Sequence, residues 1–182
     1  TTPWLTERHG YDPTFMEKEK LLIKRADTDF EYHRSALLLS ENEPWLSLGK
    51  TFDYTMGKIR DAAGELYVVC SQEELAGCIL IELRGNLRGF IRSFCIDPRF
   101  QGGGIGGRVI AYIEKLIFES YPNVFVFAAS FNEGAIRFYE RHGYERVGTF
   151  KDYVVRGSDE ILFRKTIGPS GGFHKKYEKV EI

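Results

Sequence analysis

Phe94-Cys95-Ile96-Asp97-Pro98-Arg99-Phe100-Gln101-Gly102-Gly103-Gly104-Ile105-Gly106-Gly107 decides the fold, because an apolar strand there runs into a glycine turn that opens a helix. Glycines let successive backbone N–H groups turn toward one point, and the first turn of a helix adds unpaired donors and the positive end of its dipole. Such a turn suits a phosphate. Two familiar phosphate loops do not fit. A P-loop would place Lys and then Ser or Thr after the glycines, where this chain has Arg108-Val109. Gly102, Gly104 and Gly107 satisfy a dinucleotide fingerprint, but Asp97 to Gln101 intervene after the strand, and the strand that follows the helix ends without an acid.

Downstream, Val109, Ile110, Ile113, Leu116 and Ile117 share one face of a helix expected over 105–119. The apolar run 124–129 reads as a strand, followed by Asn132-Glu133-Gly134-Ala135-Ile136-Arg137-Phe138-Tyr139-Glu140-Arg141-His142-Gly143-Tyr144. Ser130 and Glu133 have capping-box spacing for a helix to Arg141, with Gly143 at its end. Together with Gln101-x-x-Gly104-x-Gly106, this second motif resembles the GNAT superfamily of acyl-CoA N-acyltransferases. The resemblance runs from about residue 21 to about residue 166.

Upstream, 21–25 suits a first strand, and Asp27 can cap a helix carrying Phe30 and 35–39 that ends at Glu41-Asn42-Glu43-Pro44. Residues 45–63 look partly helical, with Thr51 or Asp53 near a second start. Strands at 66–71, 76–83 and 89–97 form an antiparallel meander, and 144–155 with 160–166 close the domain. Three parts are expected: an N-terminal arm (1–20), one α+β domain (21–167), and a linker with a charged tail (168–182). The resemblance implies a central, mostly antiparallel seven-stranded sheet with helices on both faces. Its fourth and fifth strands splay apart, and acyl-CoA lies in the gap.

On that resemblance acetyl-CoA is the cosubstrate, and site residues carry over one by one. Gln101, Gly102, Gly103, Gly104, Ile105, Gly106 and Gly107 would bind the pyrophosphate through backbone amides. Gln101 stands where many relatives have arginine, which removes a charge but keeps a donor. Arg108, Arg137 and Arg141 are candidates for the outer phosphate. Phe94, Cys95 and Ile96 would pair a strand edge with the pantetheine arm, and an N–H of Phe94 or Ile96 could polarise the thioester carbonyl. Asn132 would bond the arm, cap its helix, or do both. Tyr139 would protonate the departing thiolate; its alternative is a tyrosine packed beside Phe138. Many relatives carry a glutamate, able to take the amine's proton, early on the fourth strand, where this chain has Arg88 to Ser93, so Glu82 on the preceding strand is the nearest substitute. Glu41, Glu43 and Trp45 border the expected acceptor site, where carboxylates beside an aromatic face suit a cationic amine.

Composition narrows the class. The chain has 182 residues, 43% hydrophobic, enough for one core and too few for two comfortable domains. A net charge of −1 offers no stripe for nucleic acid or an anionic membrane, and no apolar run approaches the roughly twenty residues that span a bilayer. A cytoplasmic protein is expected from the N-terminus, which lacks a signal-like core. Cys70, Cys78 and Cys95 read as buried free thiols, and four scattered histidines give no metal-ligand spacing, so no metal is expected. The acceptor is read as a small-molecule amine, with a peptide amine, or a catalytically silent acyl-CoA module, as alternatives. The arm and tail could cover a neighbouring subunit in a homodimer.

Overall fold

A computed structural model describes residues 21–173. The expected arm over 1–20 and most of the charged tail lie outside the described residues. Seven strands form one sheet in the order β1-β2-β3-β4-β5-β7-β6. In chain order the elements are β1 (Leu21–Arg25), α1 (Asp29–Ser40), α2 (Phe52–Ile59), β2 (Gly64–Ser71), β3 (Glu74–Glu82), β4 (Phe90–Ile96), α3 (Ile105–Phe118), β5 (Asn123–Ala129), α4 (Glu133–Arg141), β6 (Glu145–Val155) and β7 (Ser158–Thr166). The α+β arrangement agrees with the sequence reading.

One helix start differs from expectation, and another is decided between two expected caps. Thr28, not Asp27, caps α1: its hydroxyl accepts from Glu31 N, and the Glu31 side chain returns to the Thr28 N–H, a reciprocal box that satisfies two donors. Asp27 instead meets Lys24 at 2.9 Å. Asn132, not Ser130, caps α4, with its Oδ1 accepting from Ala135 N at 3.1 Å. Ser130 N donates to Asp159 O and remains tied to the sheet. Thr51 caps α2 as the second start required.

Period-two alternation divides the core into two layers. On one face α3 and α4 bury Val109, Ile113, Ile117 and Ile136 against Ile79, Val126 and Phe163. On the other, α1 and α2 bury Ala36, Leu39 and Ile59 against Leu66, Val68 and Leu80. Both faces are therefore covered, as a mixed sheet of this width requires.

The consequential irregularity is at the centre. β4 and β5 run parallel but pair only at Phe90↔Phe125 and Ile91↔Val126. Beyond that point they part, and the far half of β4 is left with one unpaired edge. Gly89 sets the closed end: Phe125 N donates to its carbonyl at 3.0 Å, and its φ is +85°. A Cβ at Gly89 would collide with the Asn123 carbonyl oxygen and lie 2.8 Å from Ile117 Cγ2. Gly89→Ala should therefore destabilise the fold by at least about 2 kcal/mol, from left-handed strain plus backbone overlap. The shift in urea midpoint at unchanged slope is the check; an unshifted midpoint would mean that the closed end can move aside.

Candidate active site

The glycine turn leads from β4 into α3 through a short 3-10 turn, Pro98–Phe100. Gly102 and Gly104 have φ of +86° and +76°, a region that disfavours a side chain, and a Cβ at 102, 103 or 104 would meet nothing within 4 Å. The space in front of the turn is thus open, and backbone conformation rather than crowding requires glycine there. At Gly106 and Gly107 crowding does act, from the protein itself: a Cβ would lie 3.2 Å from Phe138 Cε2 and 2.9 Å from His142 Nε2. Those two glycines let α4 approach the start of α3. Gly104 caps α3 without a side-chain bond, so the first-turn N–H groups point outward unanswered.

The Gln101 amide is engaged by the chain itself. Its Nε2 donates to Ile96 O at 2.8 Å and clamps the turn to the end of β4. Of the three arginines, Arg141 lines the cavity before the turn and Arg137 is drawn to Glu133 at 2.9 Å. Arg108 does not line it.

Strand alternation orients the open edge of β4. Asp97 N donates to Ala76 O at 2.9 Å, so Asp97 and Cys95 bond toward β3, and the N–H groups of Ile96 and Phe94 turn the other way, into the gap. A cavity of about 740 Å³ follows this edge, lined by Phe94, Cys95 and Ile96, the glycine turn, Asn132 and Tyr139. It thereby assembles the expected cofactor residues, apart from Gly103, which is exposed beside it. The Cys95 thiol is buried, which pushes its pKa up to about 12, and it points at Ile96 O. A thiolate nucleophile is disfavoured there.

A second cavity, about 480 Å³, opens on the α1/α2 face of the sheet. Glu43, Phe94, Asn132, Ala135 and Tyr139 line both, so the two share a wall that includes Tyr139. Tyr139 is 5% exposed, packed at 5.4 Å on the rings of Phe138 and Tyr144. Burial raises its pKa far above the usual phenol, and among the described residues its hydroxyl has no hydrogen-bond partner. Packing and an available proton thus coexist in one residue.

The acceptor-side expectations fare unevenly. Trp45 and Glu43 line the second cavity, but the Glu43 carboxylate accepts from Ser47 Oγ at 2.7 Å and from Ser47 N. Glu41 lines neither cavity and ends α1 as its C-cap. Glu82 also lines neither; it sits across from Phe90 at the closed end of β4, 3.6 Å from Arg92. An acid that sequence reading missed does line the second cavity. Glu160 on β7, 4% exposed and opposite Ala129, lines the second cavity beside Tyr139. Desolvation raises its carboxyl pKa, and it makes no ion pair or hydrogen bond among the described residues. The available signal was alternation: with Ile161 and Phe163 in the α3/α4 core, Glu160 belongs on the opposite face.

The family model for the acetyltransferase (GNAT) family matches residues 26–144. The chain belongs to that family. No curated protein matches. Among solved structures, an aminoglycoside 6'-N-acetyltransferase complexed with coenzyme A is 16% identical, with a TM-score of 0.67 over 81% of this chain and 98% of that one. A GNAT family acetyltransferase from Elizabethkingia anophelis with acetyl-CoA bound is also 16% identical, with a TM-score of 0.57 over the same shares, 81% and 98%. The spermidine/spermine N-acetyltransferase of Vibrio cholerae, in variant form, is 18% identical, with a TM-score of 0.62 over 81% and 95%. At these identities the likeness is one of fold. Family membership makes this an acetyltransferase, and the open turn, the unpaired edge and the cavity along that edge fit acetyl-CoA as the donor.

Proposed function

We propose that the chain transfers the acetyl group of acetyl-CoA to a primary amine of a small molecule. The observation that carries the reading is the wall, Tyr139 included, that the two cavities share, one beside the glycine turn and one holding a buried carboxylate. Acetyl-CoA, when bound, supplies an activated thioester. The N–H groups of 102–107 hold phosphate oxygens, and those of Phe94 and Ile96 direct the pantetheine arm and polarise the carbonyl. Asn132 keeps its amide NH₂ for the arm while its oxygen caps α4. Tyr139 donates to the leaving sulfur. Glu160 receives the proton that the attacking amine gives up.

Thiol release with a panel of small amines and peptides tests the reading. Release should require an amine, and the product should gain one acetyl group. Binding of acetyl-CoA without transfer to any amine would leave a binding module. If Glu160 is the base, it acts ionised, so the rate should climb as pH rises through a pKa above the ordinary carboxylate range. Glu160→Gln should remove that limb and lower kcat/KM about a hundredfold, and an unchanged profile would place the base elsewhere.

A further inference from the structure

The acceptor cavity is lined by two cations that form no ion pair among the described residues. Lys50 and Lys58 place their Nζ atoms 4.4 and 5.7 Å from the centre of the Tyr54 ring, and all three side chains line the cavity. The spacing Lys50-x-x-x-Tyr54-x-x-x-Lys58 along α2 and its approach puts them on one side. Neither ammonium forms an ion pair among the described residues. Arg92, the other cation of this wall, is met by Asp61 at 3.3 Å and Glu82 at 3.6 Å. Asp61 is in turn held by the Ala63 N–H, then by Arg92, with Lys58 a lesser influence. The remaining acids of the wall are Glu43, turned to Ser47, and the buried Glu160.

Two like charges converging on one aromatic ring repel each other and any cationic ligand, and a single anion between them relieves both effects. Glu160 and Tyr139 lie in the same cavity, where an amine would react. We propose that the acceptor is an amine bearing a second, anionic group, a carboxylate or a phosphate, which Lys50 and Lys58 hold at the Tyr54 rim while the amine reaches Tyr139 and Glu160. This rests on the acetyl-transfer reading above. It replaces the cation-selecting loop suggested by Glu41 and Glu43, whose carboxylates the structure places outside the cavity or commits to Ser47.

The test compares ω-amino acids from glycine to 6-aminohexanoate, and phosphoethanolamine, with the amides of those acids and with the matching diamines. At saturating acetyl-CoA the best acid or phosphate should exceed its neutral counterpart at least tenfold in kcat/KM, with diamines poorest. Which anion ranks first identifies carboxylate or phosphate as the group held. Lys50→Gln with Lys58→Gln should bring the acid-to-amide ratio near one through KM; the thermal shift with CoA shows that the variant is folded, and Lys58→Gln alone should give a partial loss. Preference for diamines, or an acid advantage that survives the double variant, overturns the proposal. Calorimetry of the same compounds on the CoA complex separates the two readings. Acids that outbind their amides only in the unmodified protein, with no amine acetylated, uphold the anion site and refute acetyl transfer. Acetylation without any difference between acid and amide does the reverse.

Discussion

Tyr139→Phe should lower kcat roughly a hundredfold while leaving the Kd of CoA within about twofold, because the change removes a proton donor and keeps the ring. The ring makes the structural contribution, resting on Phe138, Tyr144 and Phe163 in the α3/α4 core. Tyr139 also lines both cavities. Burial disfavours its phenolate, so Tyr139 stays protonated across the working pH range and should contribute no basic limb to the rate profile. The same shift makes it a reluctant acid, so its donation to sulfur is strongest late, as the thiolate charge develops. Pre-steady-state thiol release separates chemistry from product release. A variant with full turnover would reduce Tyr139 to its packing role and leave thiolate protonation to water.

Gly104→Val should abolish the thermal shift produced by CoA while the chain remains folded. The added Cβ meets no atom of the protein, so the fold bears only left-handed strain, about 1–2 kcal/mol. The cradle bears more. A side chain at φ +76° either stands in the space before the first turn of α3 or forces the turn to another conformation, and either result misaligns several N–H donors. Hydrogen bonds to charged groups contribute about 1.5–3 kcal/mol each, so losing two corresponds to a weakening of a hundredfold or more. Gly106→Ala differs in kind, because it presses on Phe138 and should shift α4. Circular dichroism of Gly104→Val with an undiminished CoA shift would mean that the glycine turn is not the phosphate site.

The legible parts of the chain were those whose signals are local. Apolar runs bounded by turn residues marked the strands, and the apolar stripe from Val109 to Ile117 marked α3. The glycine turn and the Asn132-to-Tyr139 segment reported backbone needs that few other residues meet, and they located the first cavity. What failed depended on tertiary placement. Glu82 and Glu160 are both acids at strand ends; only the register shows that Glu82 sits at the closed end of β4 while Glu160 faces the opening across from Ala129. Asp27 and Ser130 were adequate caps by residue type, yet Lys24 and the strand pairing claimed them first. The role of Gln101 as a clamp on Ile96 O was hidden because the bond closes a turn whose shape no local pattern announces.

The central claim is spatial: the thioester lies where β4 and β5 part, between the glycine turn and Tyr139. A crystal structure with CoA tests it most directly. Pyrophosphate oxygens should sit within hydrogen-bonding distance of the N–H groups of 102–107, the arm should run along the open edge of β4 at Phe94 and Ile96, and the sulfur should lie beside the Tyr139 hydroxyl. CoA seated in another cavity, such as the one lined by Arg88, Tyr121 and Phe173, or bound at the turn with its sulfur directed away from Tyr139, would contradict the account.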